Sequence, residues 1–214
     1  MRVLFATAEL APVTSVGGLG AAAAGLGTEL RRQGLDVEFV LPDYGGIALD
    51  DEMVVALEQI PMRLAILGSG ESGLSAHLHR LAQEHPRSFA FVEGYDESLS
   101  HLMFAGADAH LMPSRLEPCG LTQMQAMRYG AVPVTTAVGG LVDTVVDADL
   151  HRNGTGFVAG RTTSEDLLAA MSRAARRLRD TRQSNALRRR IMAVDWSWGR
   201  PAGEYSALSR ELVG

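Results

Sequence analysis

Short apolar blocks of four or five residues recur along this chain, and between them lie stretches whose apolar positions return every three to four residues. The first spacing fits buried strands, the second amphipathic helices. Residues 3–7 read as a strand, 19–33 as a helix stopped by Gly34, and 37–41 as a second strand closed by Pro42. Regularity is lost over 43–61, where Asp50, Asp51 and Glu52 mark a solvated turn, and this stretch reads as a connector. The pattern resumes with a strand at 64–67, a helix ending near residue 84, a strand at 89–92, a short helix at 98–105 and a strand at 109–112. A helix over 121–129 stops at Gly130, and a strand follows at 132–135. A brief helix opens around Asp143, a short strand covers 156–158, and 164–178 carry an amphipathic helix. Two more helical stretches finish the chain.

Strands alternating with helices imply an α/β fold: a doubly wound, Rossmann-like parallel sheet covered on both faces. The 214 residues suit one large domain or two small ones. Two parts are expected: 1–60, a βαβ unit with its connector, and 61–214, a Rossmann-like domain with C-terminal helices. Hydrophobic residues make up 46% and charged ones 21%, so a soluble folded core is expected. No apolar run has membrane-spanning length, and none has the form of a signal peptide. One cysteine excludes an internal disulfide and suits a reducing, cytoplasmic setting. The net charge of −5 argues against nucleic acid as a partner. All 20 basic residues are arginine; lysine is absent.

The stretch from Pro113 to Thr122 (P-S-R-L-E-P-C-G-L-T) carries the most chemistry. A strand stops at a proline, and an acid, a second proline, the cysteine and a glycine precede a helix. Helix N-termini attract phosphate, because unsatisfied amides and the helix dipole both favour negative charge. A carboxylate in such a loop fits best if it holds something else, such as sugar hydroxyls. Together they suit a ligand that is part phosphate, part sugar.

This run resembles that of the bacterial glycogen and starch synthases, retaining glycosyltransferases of the two-lobed GT-B type. The resemblance extends through Gly139-Gly140-Leu141-Val142-Asp143-Thr144-Val145 and Asp195-Trp196-Ser197-Trp198, and covers residues 1–42, which look like the start of the family's N-terminal lobe. It implies a minimal, shortened GT-B relative that uses a nucleotide sugar such as ADP-glucose as substrate, with no separate cofactor. By resemblance Glu117, the expected catalytic group, lies beside the donor sugar. Gly120, Leu121 and Thr122 offer amides, and Thr122 its hydroxyl, to the diphosphate. Gly17 and Gly18 belong to the early glycine loop, and Tyr95 occupies the position that stacks on adenine. Cys119 is either packing or a sugar contact, since no histidine is placed to activate it. Without the family pattern, Glu117 would read as a helix N-terminal acid and Tyr95 as a half-buried aromatic at a strand end.

A competing pattern is Gly68-Ser69-Gly70-Glu71-Ser72-Gly73, a G-x-G-x-x-G after a strand, with Glu93 closing the next one. By itself it suits a nicotinamide-dependent oxidoreductase, although glycine fingerprints are weak warrants and the synthases have a similar turn here. The six histidines show no metal-ligand spacing, and no metal is expected. The arginines at 176, 177, 179, 182 and 188–190 read as a solvated helical face. The sequence Val-Gly-Gly-Leu occurs at 16–19 and again at 138–141, each time in a βα loop.

The pattern departs from the family in one respect that matters. An arginine and a lysine that face the leaving diphosphate in the synthases, with the loop and strand that carry them, have no counterpart here. Ser15-Val16 stands where the early loop of the family has its lysine. Arg31, Arg32, Arg87 and Arg115 are the candidates for a replacement. The expected activity is a retaining glycosyltransferase with an unknown, small acceptor; the alternative is a non-catalytic nucleotide-sugar or ADP-binding protein. A βαβ unit of this size cannot cover its own sheet, so residues 1–42 are expected to join the larger sheet or pair in a homodimer.

Overall fold

The computed structural model describes residues 2–6, 36–40, 63–70, 72–86 and 89–213. Its strands are β1 (Arg2–Ala6), β2 (Asp36–Val40), β3 (Leu64–Gly68), β4 (Phe89–Glu93), β5 (Ala109–Met112), β6 (Val132–Thr136) and β7 (Phe157–Ala159). The described helices are α1 (Ser72–Glu84), α2 (Glu97–Gly106), α3 (Thr122–Tyr129), α4 (Gly140–Thr144), α5 (Ser164–Arg179), α6 (Thr181–Met192) and α7 (Gly199–Val213). The helix expected over 19–33 lies outside the described residues, as do Gly17 and Gly18.

Among the described residues every ladder is parallel, as the alternation of strands and helices demands, but the strands fall into three sheets. β1 pairs with β2, β3 with β4, and β5–β6–β7 form the third. Among the described residues the β1–β2 ladder is a sheet of its own. Coverage explains the difference between the remaining two. All five residues of β6 are buried, the condition for an interior parallel strand. On β3–β4, α1 covers one face: Leu74, Leu78 and Leu81, at helical spacing, pack on Ile66, Phe89 and Phe91. Ala65 and Ala90, which point the other way, are exposed.

Two compact units result. One gathers Met1–Gly45, Pro118–Met124 and Val194–Gly214; the other holds Gly46–Glu117 and Gln125–Ala193. In the second, Leu167, Ala170, Met171 and Ala174 form the buried stripe of α5, and Phe157, Met127, Val132 and Val134 are buried beside strands β6 and β7. Capping sets several helix starts. Asp96 accepts from the Leu99 N–H at 2.9 Å to open α2, Thr163 from Asp166 to open α5, and Asp180 from Gln183 to open α6.

Side chains far apart in sequence tie the end of the third sheet together. Arg173 on α5 reaches both carboxylate oxygens of Asp147, the carboxylate of Asp149 and the carbonyl of Val158. Arg177 also bonds Asp149, at 2.7 Å. Arg188 pairs with Asp108 on the chain entering β5, and Arg190 donates to the carbonyl of Arg152. Part of the arginine run thus holds loops, while Arg176, Arg179, Arg182 and Arg189 remain exposed. No described helix is long and apolar enough to cross a membrane.

Candidate functional site

β5 ends at Met112, and the chain turns outward at Pro113. Ser114 follows, and its carbonyl accepts a 2.6 Å bond from the buried Thr136 hydroxyl at the end of β6. The Ser114 hydroxyl donates to Glu117 Oε2 at 3.4 Å. A second tie comes from the start of α4, where the Gly140 N–H donates to the Glu117 carbonyl at 3.0 Å. Gly139 makes that approach feasible: its backbone sits at φ 47, ψ −136, and a Cβ there would fall 2.7 Å from the Glu117 carbonyl carbon. Only glycine adopts such a conformation without strain. Glu117 is thereby held, half-buried, just beyond the C-terminal end of a strand, where ligands bind in open α/β sheets.

The residues after Glu117 belong to the other unit. Gly120 takes a positive φ of 68°, and its carbonyl accepts a 2.6 Å bond from Gln123 Nε2. The Gln123 side chain is fully buried and also reaches the Cys119 carbonyl. Leu121 and Thr122 are half-buried, and Thr122 is the first residue of α3. Cys119 is half-buried and in no disulfide.

Tyr95 occupies the turn that leaves β4. Gly94, at φ 115°, extends the ladder through its N–H to the Gly68 carbonyl at 3.0 Å, and Asp96 then caps α2. Between these fixed neighbours the Tyr95 ring is 87% exposed, which makes it available for stacking rather than for the core. The half-buried reading of this ring is therefore replaced by an exposed one.

The competing glycine pattern gains less. β3 and β4 pair directly, and Gly68 lies opposite Glu93, the arrangement a dinucleotide site requires. The Glu93 carboxylate, however, is turned to α1, where His79 Nε2 lies 3.0 Å away. Hydrogen bonds from His79 and then Ser75 hold that carboxyl below its ordinary value. His79 also packs edge-on against Phe91.

Sequence reasoning did not single out Ser114 and Thr136, because nothing local marks a residue whose bond partner lies 22 positions away. The second Val-Gly-Gly-Leu was the available signal for Gly139. Of the arginines offered as replacements, Arg31, Arg32 and Arg87 lie outside the described residues, and Arg115 is exposed. Among the described residues no cluster of His, Cys, Asp and Glu could hold a metal.

Comparison with known proteins gives a consistent result. The profile of the starch synthase catalytic domain matches residues 2–107. A glycogen synthase of Anaeromyxobacter dehalogenans is 46% identical over 173 residues, 81% of this chain and 36% of that protein. One from Rhodopseudomonas palustris is 42% identical over 193 residues, 88% of this chain and 40% of that protein. The catalytic domain of starch synthase IV from Arabidopsis thaliana, solved bound to ADP and acarbose, superposes with a TM-score of 0.68 at 26% identity. That alignment covers 98% of this chain and 38% of the Arabidopsis one. The chain thus spans little more than a third of the length of the curated relatives it matches.

Proposed function

Because the chain belongs to the glycogen and starch synthase family, we propose that it is a retaining glycosyltransferase whose donor is a nucleotide sugar such as ADP-glucose. The observation that supports this most is the placement of Glu117: a half-buried carboxylate, tied through backbone and side chain, at the carboxyl end of a sheet strand. In this reading Glu117 accepts hydrogen bonds from the sugar hydroxyls. The amides of Gly120, Leu121 and Thr122 receive the diphosphate, and Tyr95 stacks on the base. Cys119, Gly17 and Gly18 line the same donor.

The reaction follows from those contacts. The bond from the anomeric carbon to the diphosphate oxygen breaks, and an acceptor hydroxyl bonds the same face of that carbon. Its proton passes to the departing phosphate oxygen, so no side-chain base is needed. Negative charge builds on the diphosphate, and its electrostatic stabilisation is the largest demand on the protein. The acceptor in this reading is a small molecule. The protein acts in the cytoplasm, and self-association into a homodimer would cover its small sheets.

A second reading has one specific observation in its favour. The chain has no lysine to meet the diphosphate charge, so it would bind a nucleotide sugar without turning it over. Titration calorimetry with ADP, ADP-glucose, UDP-glucose and NADH, paired with an assay for released ADP, separates the possibilities. Binding of ADP-glucose with ADP release supports the transferase; binding without release supports the second reading. Tight NADH binding with no affinity for nucleotide sugars would overturn both.

A further inference from the structure

We propose that Gly139 and Thr136 are positioning residues for Glu117, fixing its backbone and its carboxylate from one neighbouring strand end so that it meets a donor sugar in a single orientation. This rests on the reading of Glu117 as the sugar-contacting group. Three hydrogen bonds carry it: Gly140 N–H to the Glu117 carbonyl at 3.0 Å, Thr136 Oγ1 to the Ser114 carbonyl at 2.6 Å, and Ser114 Oγ to Glu117 Oε2 at 3.4 Å. Two of them start from the five-residue stretch that ends β6 and opens α4, and the third passes from Ser114, which Thr136 holds, to the Glu117 carboxylate.

The pattern is more than a turn packed for stability. A carboxylate has about four acceptor sites, and among the described residues Glu117 fills one, with the longest of the three bonds. Its backbone is fixed more firmly than its side chain, which suits a group whose remaining acceptor capacity is kept for a ligand. Thr136 is fully buried, yet spends its hydroxyl on the residue that orients Glu117 rather than on its own strand. Gly139 takes a positive φ at the point where a Cβ would collide with the Glu117 carbonyl.

The test compares Thr136→Val, Thr136→Ser and Gly139→Ala in the full chain, each titrated with ADP and with ADP-glucose, alone and combined with Glu117→Gln. The quantity to follow is the affinity for ADP-glucose relative to ADP, which isolates the sugar contact. Thr136→Val is expected to cut that ratio by about fivefold, the worth of one hydrogen bond, with ADP affinity unchanged. Thr136→Ser restores it, and Gly139→Ala lowers it further. In the Glu117→Gln background Thr136→Val adds nothing, because its effect runs through that carboxylate. If Gly139→Ala does not fold, the two Thr136 variants carry the comparison. A ratio unchanged by Thr136→Val, or an equal loss for both ligands, would overturn the positioning role while leaving the donor site intact. Failure of the unaltered protein to bind either nucleotide would overturn the donor site itself, and the positioning role with it.

Discussion

Arg173 on α5 grips Asp147 on the loop before β7, with Nη1 at 3.0 and 2.9 Å from the two carboxylate oxygens. The same guanidinium bonds the Val158 carbonyl at 2.8 Å and lies over the Phe157 ring, 5.6 Å from its centroid. Asp147 is 7% exposed and also accepts the backbone N–H groups of Val158 and Asp149. One ion pair thus joins a helix, a loop and the last strand of the third sheet.

Removing one partner of such a pair leaves the other uncompensated. Arg173→Met is expected to lower unfolding stability by about 3 kcal/mol, read as a fall in the urea midpoint at constant slope. Burial alone would raise the Asp147 carboxyl, but the N–H bonds and Arg173 outweigh it and hold the group below its ordinary value. A lowered carboxyl stabilises the fold above the unfolded value near 3.8 and loses that contribution as pH falls through the folded one. Asp147→Asn should therefore flatten the acid limb of the stability profile and lower the plateau above it.

His110 gives a pH effect of a different origin. Desolvation in β5 lowers its imidazole to about 4, against 6.5 for a free one. The ring meets Phe104 edge-on, 5.2 Å between centroids. The neutral form is favoured in the folded state, so stability is complete above pH 6.5 and declines as pH falls to about 4. His110→Gln should abolish that slope in urea titrations run between those limits.

Two glycines predict opposite responses to alanine. A Cβ on Gly156 would fall 2.5 Å from the Pro133 carbonyl oxygen and 2.7 Å from Val145, so Gly156→Ala must push strand backbone aside. A loss of about 2 kcal/mol is expected from such overpacking. Gly203, within α7, has nothing within 4 Å of its would-be Cβ. Gly203→Ala should instead stabilise by about 0.8 kcal/mol, the helix-propensity difference. Thermal melts of the two variants check both signs.

For the ligand, Tyr95→Ala should weaken ADP by about tenfold, the scale of one base stacked on an aromatic ring. Glu117→Gln should leave ADP affinity intact and cut turnover of ADP-glucose by about a hundredfold. Unchanged behaviour in both variants would mean that the nucleotide sits elsewhere.

Local rules carried most of the secondary structure from the sequence. The apolar blocks at 64–67, 89–92 and 109–112 became β3, β4 and β5 within a residue or two. Gly130, at φ 85°, ends α3 where the pattern says it must. The chemistry expected of the run from Pro113 to Thr122 came from its resemblance to the family, since side-chain type and spacing alone leave Glu117 readable as a helix N-terminal acid. What folding alone decided is which distant groups meet. That β3 and β5 belong to different sheets depends on which helix faces cover which strands, and no single window of sequence holds that information. The hold of Thr136 on Ser114 and of Gly140 on Glu117, and the capture of Asp147 by Arg173, arise from hydrogen bonds closed across long stretches of chain. Periodicity records what one residue owes its neighbours; contacts between strand ends are settled only when the whole sheet is packed.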